Sequence, residues 1–158
     1  KYFAMTGWRL GYVCAPKEII RVITKIHQYS VMCAPTVAQY TALEALNASF
    51  KSGFKEVNEM LDIYDERRKY ILDRLDKMGL DCFTPRGAFY VFPSVKSTGL
   101  SGEQFAYALL DFKNVAVIPG NAFGSSGNDF IRISYAYSLD VIKNAFDLIE
   151  EFVNEIKI

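Results

Sequence analysis

The residues best suited to chemistry in this chain open it: Lys1-Tyr2-Phe3-Ala4-Met5-Thr6-Gly7-Trp8-Arg9-Leu10-Gly11. Lys1 offers a primary amine, which condenses with an aldehyde to a Schiff base. Arg9, across a Thr-Gly turn, offers a planar fork of donors that suits a phosphate. A guanidinium held just before an apolar run needs an anionic partner. A ligand carrying both an aldehyde and a phosphate, as pyridoxal 5′-phosphate (PLP) does, would satisfy both side chains. The third candidate is Arg132, set between Ile131 and Ile133 in an alternating run. Its face also carries Phe130 and Ser134, which aims it at a pocket rim, where its fork can take a carboxylate through two parallel hydrogen bonds. A structural salt bridge is the competing role for Arg132, and core packing is favoured for Trp8. Arg86, in a Pro-Arg-Gly turn, and His27, in a helical stretch, receive no chemical role.

These side chains need elements to hold them. Residues 10–14 are short and apolar and predict a buried strand ending at Ala15-Pro16. Pro16 then suits the start of a helix over 17–32, with Ile19, Ile20, Ile23 and Ile26 at helical spacing. A second helix is expected from Pro35-Thr36 to about 46, before the breaks at Asn47-Ala48-Ser49-Phe50 and Ser52-Gly53. The longest periodic stretch, 54–78, predicts a helix about 37 Å long that stops at Gly79. That length suits a helix bridging two domains, with its middle near Asp65-Glu66-Arg67-Arg68. After Gly79 the pattern turns to short strands at 80–84, 88–92, 115–118 and 130–135. A helix opens at Ser101-Gly102-Glu103-Gln104, and a closing helix over 139–156 has Asp140 near its start and Lys157 near its end, as the helix dipole favours.

A lone strand with two helices cannot satisfy its own backbone groups. Residues 1–60 therefore read as the edge of a larger sheet whose other strands precede Lys1. The remaining composition excludes several classes. Of the 158 residues, 51% are hydrophobic, enough for a real core, and 18 basic residues balance 18 acidic ones, so no basic field attracts nucleic acid or anionic lipid. No apolar run approaches the ~20 residues of a membrane span. Cys14, Cys33 and Cys82 are odd in number and lack CxxC spacing, which points away from a disulfide framework and from zinc. They read as small hydrophobes in a reducing compartment, the cytoplasm by default. With a single histidine, no metal site is expected.

Lys-x-x-Ala-Met-Thr-Gly-Trp-Arg-Leu-Gly-Tyr at 1–12 resembles the PLP-lysine signature of class I/II aminotransferases of fold type I. Pro85-Arg86-Gly87-Ala88-Phe89-Tyr90-Val91-Phe92-Pro93 is similar to that family's first small-domain hairpin. Pro119-Gly120-Asn121-Ala122-Phe123-Gly124, with Phe130-Ile131-Arg132-Ile133-Ser134-Tyr135-Ala136, resembles its closing loop and arginine strand. The resemblance implies an α/β fold: the C-terminal part of a fold type I PLP-dependent transferase. Residues 1–65 would end the PLP-binding large domain, and 66–158 would form the small domain. It implies Lys1 as the Schiff-base lysine and catalytic base, Arg9 as the phosphate arginine, Arg132 as the α-carboxylate arginine and Phe89 as an aromatic of the substrate pocket wall. More weakly, Asn121 and Phe123 would flank the pocket. The implied reaction transfers an amino group from an L-amino acid, aspartate or aromatic, to a 2-oxo acid, with PLP as cofactor and a homodimer as the working unit. The family's phosphate-cradling loop, ring-stacking aromatic and pyridine-facing Asp have no counterpart here, so the chain alone is expected to be inactive. A fold-type-I C–S β-lyase and the PLP-sensing domain of a transcription regulator share these residues and remain open.

Overall fold

The computed structural model describes residues 2–156; Lys1 and Lys157 lie outside the described residues. The chain divides into two compact units, Lys1–Met60 and Leu61–Ile158.

The first unit is helical. A 3-10 turn, Thr6–Trp8, precedes α1 (Lys17–Ser30) and α2 (Thr36–Ser52). Pro16 and Pro35 stand immediately before these helices, where a missing N–H costs no helical hydrogen bond. α2 runs six residues beyond its expected end, through Asn47 and Ser49. Such residues are only mildly unfavourable inside a helix. The stop comes at Gly53 (φ 64), with the Phe54 N–H donating to the Ser49 carbonyl at 2.8 Å. The strand expected over 10–14 does not form. These residues are irregular, and Tyr12 is 91% exposed. Among the described residues no strand lies beside them, and without a ladder partner an apolar run gains nothing by extending.

The helix α3 (Lys55–Lys77) ends as the sequence predicts. Gly79 adopts φ 67, and the Leu80 N–H donates to the Leu75 carbonyl at 3.0 Å, while both leucines are buried. The second unit adds β1 (Tyr90–Val91), α4 (Gly102–Lys113), β2 (Ile118–Pro119), β3 (Ile131–Ser134) and α5 (Leu139–Ile156). Among the described residues the sheet has the antiparallel order β1-β3-β2, with Tyr90 opposite Ser134 and Ile118 opposite Arg132. The strands are shorter than expected, and at two prolines the pairing departs from the expected runs. Cys82 pairs with Pro93 as an isolated bridge, because Pro93 has no N–H with which to continue a ladder over 80–84. Pro119, expected to stop a strand, instead lies within β2, which sits at the sheet edge where a proline is tolerated. The Ser101 hydroxyl accepts from the Gln104 N–H, and the Gln104 side chain accepts from the Ser101 N–H, a reciprocal cap that starts α4.

One sheet face, Val91, Ile131 and Ile133, is buried against Ile71 and Leu75 of α3, Phe105 and Leu109 of α4, and Ile142, Phe146, Ile149 and Phe152 of α5. Alternation then turns Tyr90, Arg132 and Ser134 to the other face. Burial of one face is thus what aims Arg132 away from the core.

Candidate active site

Arg132 sits in the middle strand, half-buried, and no carboxylate among the described residues pairs with it. Two aromatic rings flank it instead. Its Cζ lies 4.6 Å from the Tyr90 ring centroid and 4.7 Å from that of Phe123. Both distances are within the range of a cation–π contact. Tyr90 reaches it from β1, where it shares a sheet face with Ser134 and Arg132.

Phe123 arrives by a different route. It ends a 3-10 turn, Gly120–Phe123, in the loop between β2 and β3. Two glycines let that loop fold back on itself. A Cβ on Gly120 would lie 2.3 Å from the Gly127 carbonyl oxygen, and one on Gly127 would lie 2.2 Å from that of Gly120. No other residue type permits this approach. Phe92 supports the loop from beneath: its ring stacks on Phe130 at 5.2 Å and meets Phe123 edge-on at 6.0 Å. The Asn121 amide donates to the Glu103 carboxylate at 3.4 Å.

Phe89 is half-buried. It stacks on Tyr64 with centroids 5.9 Å apart, touches Tyr90 at 4.7 Å, and packs against the core. The Tyr135 hydroxyl donates to the neighbouring Ala88 carbonyl, and burial pushes that phenol's pKa up, keeping it neutral.

In the first unit, Arg9 caps the 3-10 turn in a left-handed conformation (φ 52). Its Nη1 donates to the Thr6 carbonyl at 3.1 Å, and the guanidinium is exposed. One local hydrogen bond fixes the arm, and no acid among the described residues neutralises it. An exposed, unneutralised fork fits a phosphate. Lys1, the expected Schiff-base residue, lies outside the described residues. Among the described residues no cluster of three His, Cys, Asp or Glu could hold a metal.

The sequence singled out Arg132 but passed over Tyr90 and Phe92. The signal available was their alternation with Phe89 and Val91, which sets two aromatics on one strand face. What it could not supply was the register that brings Tyr90 beside Arg132.

The family model for aminotransferase class I and II matches residues 1–149. The chain belongs to this family. It is 44% identical over 158 residues to an aspartate aminotransferase of Pyrococcus abyssi, covering 100% of this chain and 40% of that protein. It is 39% identical to aromatic-amino-acid aminotransferase 2 of Thermococcus litoralis, with the same coverage. A solved aromatic aminotransferase from Pyrococcus horikoshii superposes with a TM-score of 0.83 at 43% identity, covering 98% of this chain and 41% of that one. The chain thus spans about two-fifths of the length of the aminotransferases it matches, and the fold expected from sequence, part of a fold type I aminotransferase, holds.

Proposed function

We propose that this chain is the C-terminal part of a PLP-dependent aminotransferase that moves an amino group from an L-amino acid, aspartate or aromatic, to a 2-oxo acid. The observation that carries the reading is Arg132. A half-buried guanidinium without a carboxylate partner among the described residues is a standing demand for an anion, and the carboxylate common to amino acids and 2-oxo acids meets it in bidentate fashion. Aspartate and aromatic donors follow from what the similar aminotransferases are named for.

Arg9 holds the cofactor phosphate with the donors that Thr6 leaves free. Bound PLP supplies an aldehyde and a ring that withdraws electrons from the substrate Cα. Lys1 would provide the amine that takes the proton from the substrate Cα as a base and delivers it to the cofactor side as an acid. Phe89 belongs to the wall beside the substrate. Residues 1–65 close a large domain and 66–158 form a small one. The protein works as a cytoplasmic homodimer, and the 158-residue chain alone is inactive.

The test is a transaminase assay on the full-length protein with PLP, 2-oxoglutarate and either aspartate or phenylalanine as donor. Arg132→Ala should raise KM about a hundredfold for both donors, as expected for removing one partner of a desolvated charge pair, with the cofactor absorbance intact. Unchanged KM values for both donors would discard the role of Arg132, and release of a thiol with pyruvate and ammonia from a cysteine S-conjugate, without transfer from either donor, would replace the transferase by a lyase.

A further inference from the structure

We infer that Tyr90 and Phe123 are positioning residues that clamp the Arg132 guanidinium between their rings and present only its N–H edge to the substrate carboxylate. The inference rests on the carboxylate role of Arg132 and concerns how that role is achieved. A free arginine side chain samples many rotamers, and substrate binding would otherwise have to overcome that disorder. Here the cation already lies 4.6 Å and 4.7 Å from the centroids of two rings that come from separate elements, β1 and the 120–123 turn. A ring seated on a guanidinium face displaces water there, and the N–H edge is then the route left for an anion. They also thin the solvent around the donors, which strengthens each hydrogen bond to a carboxylate.

The clamp is built rather than incidental. Tyr90 is fixed by the β1–β3 register, opposite Ser134. Phe123 is fixed by the Gly120–Gly127 approach and by the Phe92–Phe130 stack beneath it. Arg132 needs neither ring for its own folding, since β3 is set by its buried neighbours Ile131 and Ile133. What the rings decide is the direction of the fork. The carboxylate is common to every substrate, so the clamp acts equally on all of them, whatever their side chains.

The experiment uses the full-length protein with PLP, and KM and kcat are measured for aspartate, phenylalanine and 2-oxoglutarate. Tyr90→Leu and Phe123→Leu should each raise KM about tenfold for all three, with kcat within twofold, in keeping with the loss of one cation–π contact and of pre-organisation. Tyr90→Phe, which keeps the ring face, should restore the parent KM. Phe123 is 54% exposed, so its truncation leaves the core intact. If Tyr90→Leu fails to fold, Phe123→Leu and Tyr90→Phe decide the matter. KM values within twofold of the parent in the leucine variants overturn the clamp, as does a Tyr90→Phe defect equal to that of Tyr90→Leu. Arg132→Ala separates the two layers. If it raises KM while the clamp variants do not, only the clamp falls; if it leaves KM unchanged, the carboxylate role falls and takes the clamp with it.

Discussion

Ile26 of α1 and Ile149 of α5 hold similar places on amphipathic helices, yet the first is 63% exposed and the second 1%. The contrast extends to the units that contain them. In the first, Ala38, Ser49 and Val57 are the buried residues among those described, and Ile19, Val22, Ile23 and Ile26 form an exposed apolar stripe. In the second, α3, α4, α5 and the sheet share one continuous core. Equal sequence patterns have unequal outcomes because a stripe acquires energy only when another surface removes it from water. The candidate residues follow the same division. Arg132 is braced by a strand, a turn and two rings, whereas Arg9 is held by one local hydrogen bond.

The sharpest way to break this comparison is to truncate one side chain in each unit of the 158-residue chain. Phe146→Ala should cost about 3–5 kcal/mol, through lost transfer energy and the cavity left behind. Ile26→Ala should cost less than about 0.5 kcal/mol, because its side chain already meets solvent. Hydrogen exchange is the suitable measurement, since two units need not unfold together. Phe146→Ala should collapse amide protection across α4, α5 and β3, while Ile26→Ala leaves it unchanged. Equal losses from the two variants would erase the distinction between the units.

Charge should show the same division at smaller amplitude. Arg74 of α3 is shielded, and its guanidinium pairs with Asp147 at 2.8 Å and Glu150 at 2.9 Å on α5. Lys55 and Glu59, in the first unit, stand 3.9 Å apart in open solvent. Arg74→Met should cost about 1 kcal/mol: the arginine loses charged hydrogen bonds, but its half-exposed partners regain water. Lys55→Ala should shift nothing measurable. Thermal melts of both variants at low salt test this, and a larger loss from Lys55→Ala would reverse the order.

How much of this was legible in the sequence follows the same line. Helices announced themselves by period and stop signals: α5 matches its expected span, and α3 ends at Gly79 as read. α4 carries its reciprocal cap in its first letters. Arg132 was legible because an arginine between two isoleucines on an alternating strand has nowhere to go but the polar face. Strands were harder, since a strand depends on a partner that local sequence does not contain. Residues 10–14 had the composition and no ladder, and Pro93 and Pro119 changed where pairing could run. The rings around Arg132 were hidden for a related reason. Tyr90 lies 42 positions before Arg132, and only the sheet register and the glycine-permitted fold of the 119–130 loop bring both rings close to the cation.

The smallest expected effect compares two carboxylates along α3, one assigned to each unit. Asp65 is held below the usual carboxylate range by Lys69 and then by Arg68, whose cationic groups bond its oxygens. Glu56 is held low chiefly by the Ser52 hydroxyl, which donates to it at 2.6 Å. Both depressed values stabilise the folded state above the ordinary carboxylate pKa, and that contribution is lost as pH falls through the lower folded value. The causes differ in their response to salt. Cations act through a field that about 1 M salt screens within a few ångströms, whereas a neutral hydroxyl donor is largely indifferent to ionic strength. A carboxyl-carbon NMR titration of the 158-residue chain should therefore find Asp65 moving back toward its ordinary value in high salt while Glu56 stays low. Ser52→Ala should release Glu56 at any salt concentration. If Glu56 relaxes with salt as far as Asp65 does, the Ser52 hydroxyl is not what holds it.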